Sequence, residues 1–283
     1  MACNWEKVSL GASGLRVSPL GLGSSYGLGA HEVERAFERG VNFLFWGLRR
    51  RDGFGEGITR LARRNREDLV VAVQSYSRVG ALIGPSVESA LRTLKIDQAD
   101  LLGLGWWNGP PPRGVVDAAL ALKERALVRR IAISCHHRPA FEALASDPAF
   151  DVVMVRYNAA HPGAEREVFP RLGPGTAGVL AFTATRWGSL LNPRLMPPGE
   201  ATPRASDCYR FALTNPSVHA CLAGPRNGAE LDEALAALDR GPMTPEELAW
   251  LRRVGAVVRD EANANRPIRL LDKAWRALSL PGT

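Results

Sequence analysis

Short apolar runs alternate with amphipathic segments along most of the chain. Eight of these runs hold four to six residues each, which is too short for a helix, and several are rich in Val and Ile, which favour strands. They span residues 20–23, 42–45, 69–73, 99–104, 130–134, 151–155, 178–182 and 218–222. The pattern therefore predicts eight β-strands.

The segments between the predicted strands have the periodicity of helices. Apolar side chains recur at intervals of three and four in residues 31–39, 86–94, 115–124, 165–172 and 230–238. Strands that alternate with helices imply right-handed parallel crossovers, and eight such units close into a (β/α)8 barrel, the TIM barrel. We predict an α/β fold with one barrel domain over residues 1–283. An open doubly wound sheet is the alternative, but its G-x-G-x-x-G fingerprint is absent, since Tyr26 stands where the third glycine belongs.

Three segments fall outside the strand-helix repeat. A turn between Gly11 and Gly14 joins two short apolar runs into a predicted N-terminal hairpin that closes the bottom of the barrel. Residues 187–204 are rich in Pro and Gly, follow the seventh strand, and form a candidate lid over the carboxyl-terminal face. Residues 244–247 form a capping box that opens an extra helix to about residue 262, and we predict another helix at 266–280 in the tail, residues 266–283.

Charge and cysteine content narrow the classes of function. The formal net charge of +7 comes almost entirely from arginine, and the arginines are scattered without a ladder of aromatic and basic residues, so we expect no nucleic-acid partner. The four cysteines are far apart, without a C-x-x-C pair or a histidine at metal-ligand spacing, so we expect neither a disulfide framework nor a metal site. The chain has no apolar signal segment and no run that approaches the roughly 18 apolar residues of a membrane span. We expect a cytoplasmic protein without a membrane partner.

Six short motifs in a fixed order resemble the aldo-keto reductases over nearly the full length. They are the S-G-L-x-V-S core within residues 10–23, G-V-N-F at 40–43, A-L-R-T-L-K-I-D-Q-A-D-L at 90–101, V-R-R-I-A-I-S at 128–134, Y-N at 157–158 and G-P-R at 224–226. One such motif is a weak signal, whereas six in order are a strong one. The resemblance implies the predicted barrel and, as the family's activity, hydride transfer from NADPH to a carbonyl.

The resemblance also implies four catalytic side chains, and this chain has none of them at the matching positions. In the family a Tyr acts as general acid, a Lys paired with an Asp lowers the pKa of that Tyr, and a His orients the substrate oxygen. The matching positions, in the order Asp, Tyr, Lys and His, hold Phe45, Arg50, Gln74 and Gly105. None of these replacements can perform the role of the family's residue.

A shift of the alignment does not restore the missing groups. No tyrosine lies between residues 40 and 60, and the four lysines all lie far from the end of the third predicted strand. We therefore expect ordinary carbonyl reduction to be lost.

The nicotinamide contacts implied by the resemblance are reduced. The family holds the amide of the nicotinamide with Ser, Asn and Gln and stacks its ring on an aromatic side chain. The corresponding residues here are Ser134, Cys135, Met154 and Phe182. Two of the three hydrogen-bonding residues are therefore replaced.

The phosphate contacts implied by the resemblance are better kept. Gly224 and Arg226 match the loop that meets the adenosine phosphates, and Asn227 begins a helix whose amino terminus favours an anion. NADP(H) is thus the candidate cofactor. The competing interpretation is a turn kept because the barrel needs it, with Arg226 solvated.

Aromatic and basic residues follow several predicted strands and are expected at the barrel mouth. Three of them are tryptophans, Trp46, Trp106 and Trp107. They either form the bottom of an apolar ligand site or fill the volume left by the missing catalytic residues. Arg156, beside Tyr157, can bind a carboxylate or phosphate, or form a surface ion pair.

Three further residues are weak catalytic candidates. Tyr76, His136 and His137 lie at the ends of predicted strands. A histidine there can act as acid or base near neutral pH, although solvated or helix-capping histidines are the commoner outcome.

Three functional hypotheses follow. The first is a barrel that binds NADP(H) or another small molecule without ordinary carbonyl reduction, as sensor, scaffold or protein partner in its pathway. The second is a non-redox enzyme, an isomerase, lyase or cyclase, in the same mouth. The third is an atypical NADPH-dependent oxidoreductase in which a substrate group or water replaces the Tyr.

Overall fold

The computed structural model describes residues 5–47, 50–173 and 177–264. Eight parallel strands close into a barrel in chain order, and the last strand pairs with the first. These strands are β3 (Leu20–Gly23), β4 (Phe43–Trp46), β5 (Val70–Ser75), β6 (Ala99–Trp107), β7 (Val128–Cys135), β8 (Val152–Arg156), β9 (Gly178–Phe182) and β10 (Ala220–Ala223). Each predicted apolar run overlaps one of them, so the predicted TIM barrel is confirmed.

A helix follows each barrel strand, and one more helix ends the described chain. The helices are α1 (Ala30–Glu38), α2 (Asp52–Asn65), α3 (Ile83–Leu94), α4 (Arg113–Glu124), α5 (Phe141–Ser146), α6 (Ala164–Glu167), α7 (Ala205–Thr214), α8 (Gly228–Arg240) and α9 (Pro245–Ala264). The predicted helix over residues 165–172 is wrong in extent, because α6 ends at Glu167 and a 3₁₀ turn, Phe169–Arg171, follows. Pro170 accounts for the break, since proline lacks an N–H and disfavours helical backbone in the residue before it.

The core has two layers, one on each face of the closed sheet. Successive side chains on a strand point to opposite faces. Phe43, Phe45 and Met154 belong to the core inside the barrel, whereas Leu44 and Trp46 belong to the core between the strands and the helices. Whether a side chain at the end of a strand points into the barrel or towards the helices thus depends on this alternation.

The N-terminal hairpin closes one end of the barrel, as predicted. Its strands are β1 (Val8–Ser9) and β2 (Arg16–Val17), which pair antiparallel. Leu10 and Leu15 from its turn region are buried in the inner core. Gly11 bridges to Ala177, just before β9, so the hairpin lies where the barrel strands begin.

Gly11→Ala is expected to destabilise this closure by about 2–4 kcal/mol, combining left-handed strain with a backbone clash. Gly11 has a φ of +55°, and an added Cβ would lie 2.4 Å from the nitrogen of Gly178. The matched control is Gly14→Ala, where φ is +74° but the nearest atom would be 3.7 Å away. Urea unfolding should show a cost of about 1 kcal/mol for that control. Equal costs for the two variants would refute the role of the close contact.

The capping box predicted at residues 244–247 opens α9. Thr244 N donates to Oε2 of Glu247 at 2.8 Å, and Glu247 N donates to Oγ1 of Thr244 at 3.2 Å. The extra helix is therefore confirmed, and it extends to Ala264. The tail at 266–283 lies outside the described residues. No helix within the described ranges has the length and apolar character to cross a membrane.

Candidate functional site

The positions that match the family's catalytic residues come together at the carboxyl ends of β4, β5 and β6. Phe45 and Gln74 are both buried. Arg50 is tied to this group, since its Nη2 donates to the main-chain oxygen of Gln74 at 2.9 Å. A Cβ added to Gly105 would lie 2.6 Å from Nε2 of Gln74, so the amide of Gln74 fills the space of a side chain at position 105. The group contains one cation and no carboxylate.

Tyr76 places a hydroxyl beside these positions. Its Oη donates to Oε1 of Gln74 at 2.8 Å, and its ring meets that of Trp106 edge-on at 4.9 Å. The pKa of Tyr76 is raised to about 12, chiefly by burial and to a smaller extent by Tyr26, while the charge of Arg50 acts in the opposite direction. The hydroxyl keeps its proton at neutral pH and is a weak acid there, because efficient general acids have a pKa near the working pH.

Three of the five predicted pocket residues do not line the mouth. Trp46, Trp107 and Tyr157 are buried between the barrel and its helices. Trp46 stacks on Phe54 of α2 at 6.5 Å between ring centroids, and the hydroxyl of Tyr157 donates to Glu165 at 2.5 Å. Trp46 points away from the mouth because its neighbour on β4, Phe45, belongs to the inner core. Trp107 follows an irregularity of β6 at which Trp106 has a φ of 57°, and Tyr157 lies just after the end of β8.

The other two predicted pocket residues, Trp106 and Arg156, are at the mouth. Trp106 is 48% exposed and its ring covers one edge of Tyr76. Arg156 is half-buried at the end of β8, with its Cα in register with that of Phe182 on β9. The mouth thus combines an exposed aromatic ring with a guanidinium.

The two strand-end histidines differ in environment. The ring of His136 meets that of Phe182 edge-on at 5.9 Å, and its pKa is lowered by partial burial and by the charge of Arg156. His136 is therefore neutral at neutral pH and able to accept a proton. His137 caps the 3₁₀ turn that follows, because its main-chain oxygen accepts from the nitrogen of Ala140 at 3.1 Å.

The predicted nicotinamide contacts lie at the top of the barrel. Ser134 is buried near the end of β7, in register with Met154. Phe182 ends β9 and is half-buried. Within the described ranges, no group of three or more His, Cys, Asp and Glu side chains is placed to hold a metal.

A cleft of about 550 Å³ opens at the ends of β9, β10 and β3. This volume lies in the range of small-molecule sites. Gly224 and Arg226 line it, and so do residues at both ends of the candidate lid, from Trp187 to Arg204. The other aromatic and charged residues of its wall are Tyr26, Tyr209, Glu230 and Glu233.

The end of this cleft at Arg226 contains an ion pair. Nε of Arg226 lies 2.8 Å from Oε1 of Glu230, and the main-chain nitrogen of Arg226 donates to Oε2 at 2.8 Å. Asn227 caps α8 by accepting from the nitrogen of Glu230 at 3.0 Å. The pair raises the pKa of Arg226 and lowers that of Glu230, chiefly through their side-chain hydrogen bond. An anion at Arg226 has to compete with Glu230.

Sequence reasoning missed several residues of the cleft wall, among them Tyr26, Trp187 and Arg204. Their positions in the sequence could have indicated them, since Tyr26 follows the first barrel strand and the other two residues begin and end the segment rich in Pro and Gly.

The strained backbone beside the cleft could not be predicted from the sequence. Thr183 and Trp187, in the loop after β9, have left-handed φ values of 57° and 51°. Strained backbone of this kind concentrates at functional sites.

Solved structures similar to this chain include aldo-keto reductases. One from Bacillus halodurans, in its holo form, matches with a TM-score of 0.74 at 20% identity, over 88% of this chain and 96% of that one. Another, from Klebsiella pneumoniae in complex with NADP and acetate, has a TM-score of 0.72 at 21% identity, over 89% and 96%. No protein-family model and no curated protein sequence matches the chain. The structural matches establish a fold shared with aldo-keto reductases.

Proposed function

We propose that the chain is a divergent relative of the aldo-keto reductases that binds NADP(H) and does not catalyse ordinary carbonyl reduction. The observation behind this proposal is the cleft of about 550 Å³. It joins Arg226, beside the amino terminus of α8, to aromatic walls at Tyr26 and Trp187. A dinucleotide requires this combination, because its phosphates favour cations and helix amino termini and its rings favour flat apolar surfaces.

The similar structures support this choice of ligand. The similar structure from Klebsiella pneumoniae was solved in complex with NADP and acetate. In this fold ligands bind at the carboxyl-terminal face, which is where the cleft opens. In the proposal Gly224, Arg226 and the amino end of α8 hold the phosphates. NADPH supplies a transferable hydride when bound. Carbonyl reduction also requires a protein group that protonates the carbonyl oxygen.

The strand-end residues support the loss of carbonyl reduction. Phe45 and Gly105 have no ionisable group, and Gln74 does not titrate. Arg50 keeps its charge at neutral pH, although burial lowers its pKa. In place of a Lys and Asp pair, the described residues around Tyr76 leave the pKa of its hydroxyl at about 12, too high for an efficient general acid. The proposed site therefore binds a cofactor without the groups that protonate a developing alkoxide.

NADPH is expected to quench the protein's tryptophan fluorescence with a Kd of about 1–100 µM, typical of nucleotide sites of modest affinity. Trp187, which lines the cleft and is 70% exposed, is the reporter nearest the ligand. Arg226→Gln should weaken binding about tenfold by removing charge-assisted hydrogen bonds to phosphate. The matched control is Arg92→Gln, which removes an exposed arginine at the opposite end of the barrel and should leave the Kd unchanged.

A parallel titration with NADH tests which of the two nicotinamide cofactors the cleft binds more tightly. Glu230 can accept a hydrogen bond from a ribose 2′-hydroxyl, as acidic residues do in NAD sites. Tighter binding of NADH than of NADPH would keep the cleft as a nucleotide site and change the cofactor. Absence of binding by both would reject the proposal. It would favour the non-redox enzyme, for which neutral His136 beside Arg156 is the relevant observation.

A further inference from the structure

A cluster of positively charged and imidazole side chains lies at the ends of β7 and β8. Arg156 ends β8 on the inward-facing side, because Val152 and Met154, at the alternate positions before it, belong to the inner core. Its Cα is in register with that of Phe182, whose ring meets His136. Arg156 and His136 therefore face the same space at the top of the barrel.

His161 joins this cluster from the loop after β8. Its Nδ1 lies 3.3 Å from Oδ1 of Asn158, and Nδ2 of Asn158 donates to the main-chain oxygen of Thr183 at 2.8 Å. The ring is thus fixed to the loop after β9. Burial and four arginine charges lower the pKa of His161 to about 4. The arginines come from β8, from the loop after β9, from the turn after β7 and from α9: Arg156, Arg186, Arg138 and Arg259.

Arg156 differs from the other three arginines in its bonding. Those three bond to acceptors on the protein: Arg138 to Glu167, Arg186 to the main-chain oxygen of Val258, and Arg259 to Asp260. Among the described residues, the Arg156 guanidinium has neither a carboxylate within 4.0 Å nor a hydrogen-bond acceptor, although it is half-buried. Burial and the charge of Arg138 lower its pKa. A half-buried cation among like charges is unfavourable unless an anion compensates it.

We propose that Arg156, His136 and His161 form a binding site for an oxyanion, the carboxylate or phosphate group of a small-molecule ligand. A guanidinium presents its donors in a planar fork that matches both groups, and the neutral imidazole of His136 adds one N–H donor. The one N–H of neutral His161 points to Oδ1 of Asn158, so His161 adds a donor when it is protonated, a form that a bound anion favours. Thr183 and Arg186, in the loop beside the site, have left-handed φ values of 57° and 53°. Such strain persists where a ligand site requires it. The site does not depend on NADP(H) binding.

Calorimetric titration of the full chain at neutral pH, without nucleotide, tests the site with inorganic phosphate and with acetate as probes. Sodium chloride at matched ionic strength gives the background. Either probe should saturate the site with a Kd of about 1–10 mM, as expected for an ion of few atoms. The imidazole NMR signals of His136 and His161 should shift in step with the heat. Arg156→Gln should weaken binding at least about tenfold, and the control Arg92→Gln less than about twofold.

The outcomes separate the sources of the anion. Saturation by phosphate alone assigns a phosphate group, saturation by acetate alone assigns a carboxylate, and both support the site. Absence of saturation up to about 100 mM, or equal weakening by both variants, would overturn it. Arg156→Gln should also raise the pKa values of His136 and His161, because a neighbouring positive charge is removed. Unchanged histidine pKa values would equally overturn the site, whereas failure of NADPH to bind would not affect it.

Discussion

With NADPH at saturation, the protein is expected to reduce simple aldehydes below about 0.01 s⁻¹, at least about 10³-fold slower than a typical enzyme turns over its substrate. The reason is the absence of a usable acid at the strand ends. Tyr76 is the only described tyrosine bonded to Gln74, its proton is already donated to that amide, and its pKa is raised to about 12. The measurement is the loss of NADPH absorbance with benzaldehyde, at a nucleotide concentration set by the quenching titration.

Tyr76→Phe is the matched control for this expectation. Since Tyr76 has no catalytic role in the proposal, the variant should leave the residual rate unchanged. Turnover above about 1 s⁻¹ in the unaltered chain would place it among ordinary enzymes. If Tyr76→Phe then abolished that turnover, Tyr76 would be the general acid, and the third hypothesis, an atypical oxidoreductase, would replace the first.

The barrel was predictable because its strands are buried on both faces. Strands of this kind appear in the sequence as short continuous apolar runs, and each of the eight runs overlaps a barrel strand. The predicted helix over residues 165–172 was too long because the prediction followed the apolar spacing and ignored Pro170. The α-helix ends at Glu167, and Pro170 lies in the 3₁₀ turn that follows. The apolar periodicity predicted the strands and helices, whereas the end of α6 depends on proline, which periodicity does not take into account.

The candidate site was only partly predictable because side-chain direction and loop path are tertiary properties. Gly224 and Arg226 line the cleft, and a position at the carboxyl-terminal face could be predicted for them because they directly follow a strand. Trp46 was expected at the mouth but packs between the strands and the helices. Side chains alternate between the two faces of a strand, so predicting the face of Trp46 requires the exact strand register. His161 and Arg186 were not predicted, because they lie in loops whose course no periodicity describes, although the charges of Arg156 and Arg186 both act on His161.

Arg210→Met is expected to lower the free energy of unfolding by about 2–4 kcal/mol, because it removes the buried partner of an ion pair whose carboxylate, Glu247, is 30% exposed. The Arg210 side chain is 4% exposed and joins α7 to the end of α8 and to α9. Nε donates to the main-chain oxygen of Gly241 at 2.7 Å, and Nη2 to that of Pro242 at 2.9 Å. Nη1 and Nη2 each donate to Glu247 at 2.7 Å. Methionine fills the volume but removes the donor from the main-chain oxygens of Gly241 and Pro242, and it leaves Glu247 with Thr244 N and Arg240 as its donors. Urea unfolding at neutral pH measures the loss.

The acid dependence of this loss distinguishes the ion pair from packing. Hydrogen bonding from Arg210 is the main cause that lowers the pKa of Glu247 to about 2 in the folded chain, against about 4.3 in an unfolded one. The pair therefore stabilises the fold fully above the unfolded pKa, and this contribution disappears as the pH falls through the folded pKa. The difference in stability between the unaltered chain and Arg210→Met should shrink as the pH falls from about 5 to about 2. Arg39→Met, which removes an exposed pair with Asp239, should cost less than about 1 kcal/mol at neutral pH. A comparable cost for the two variants would show that burial adds nothing to the pair.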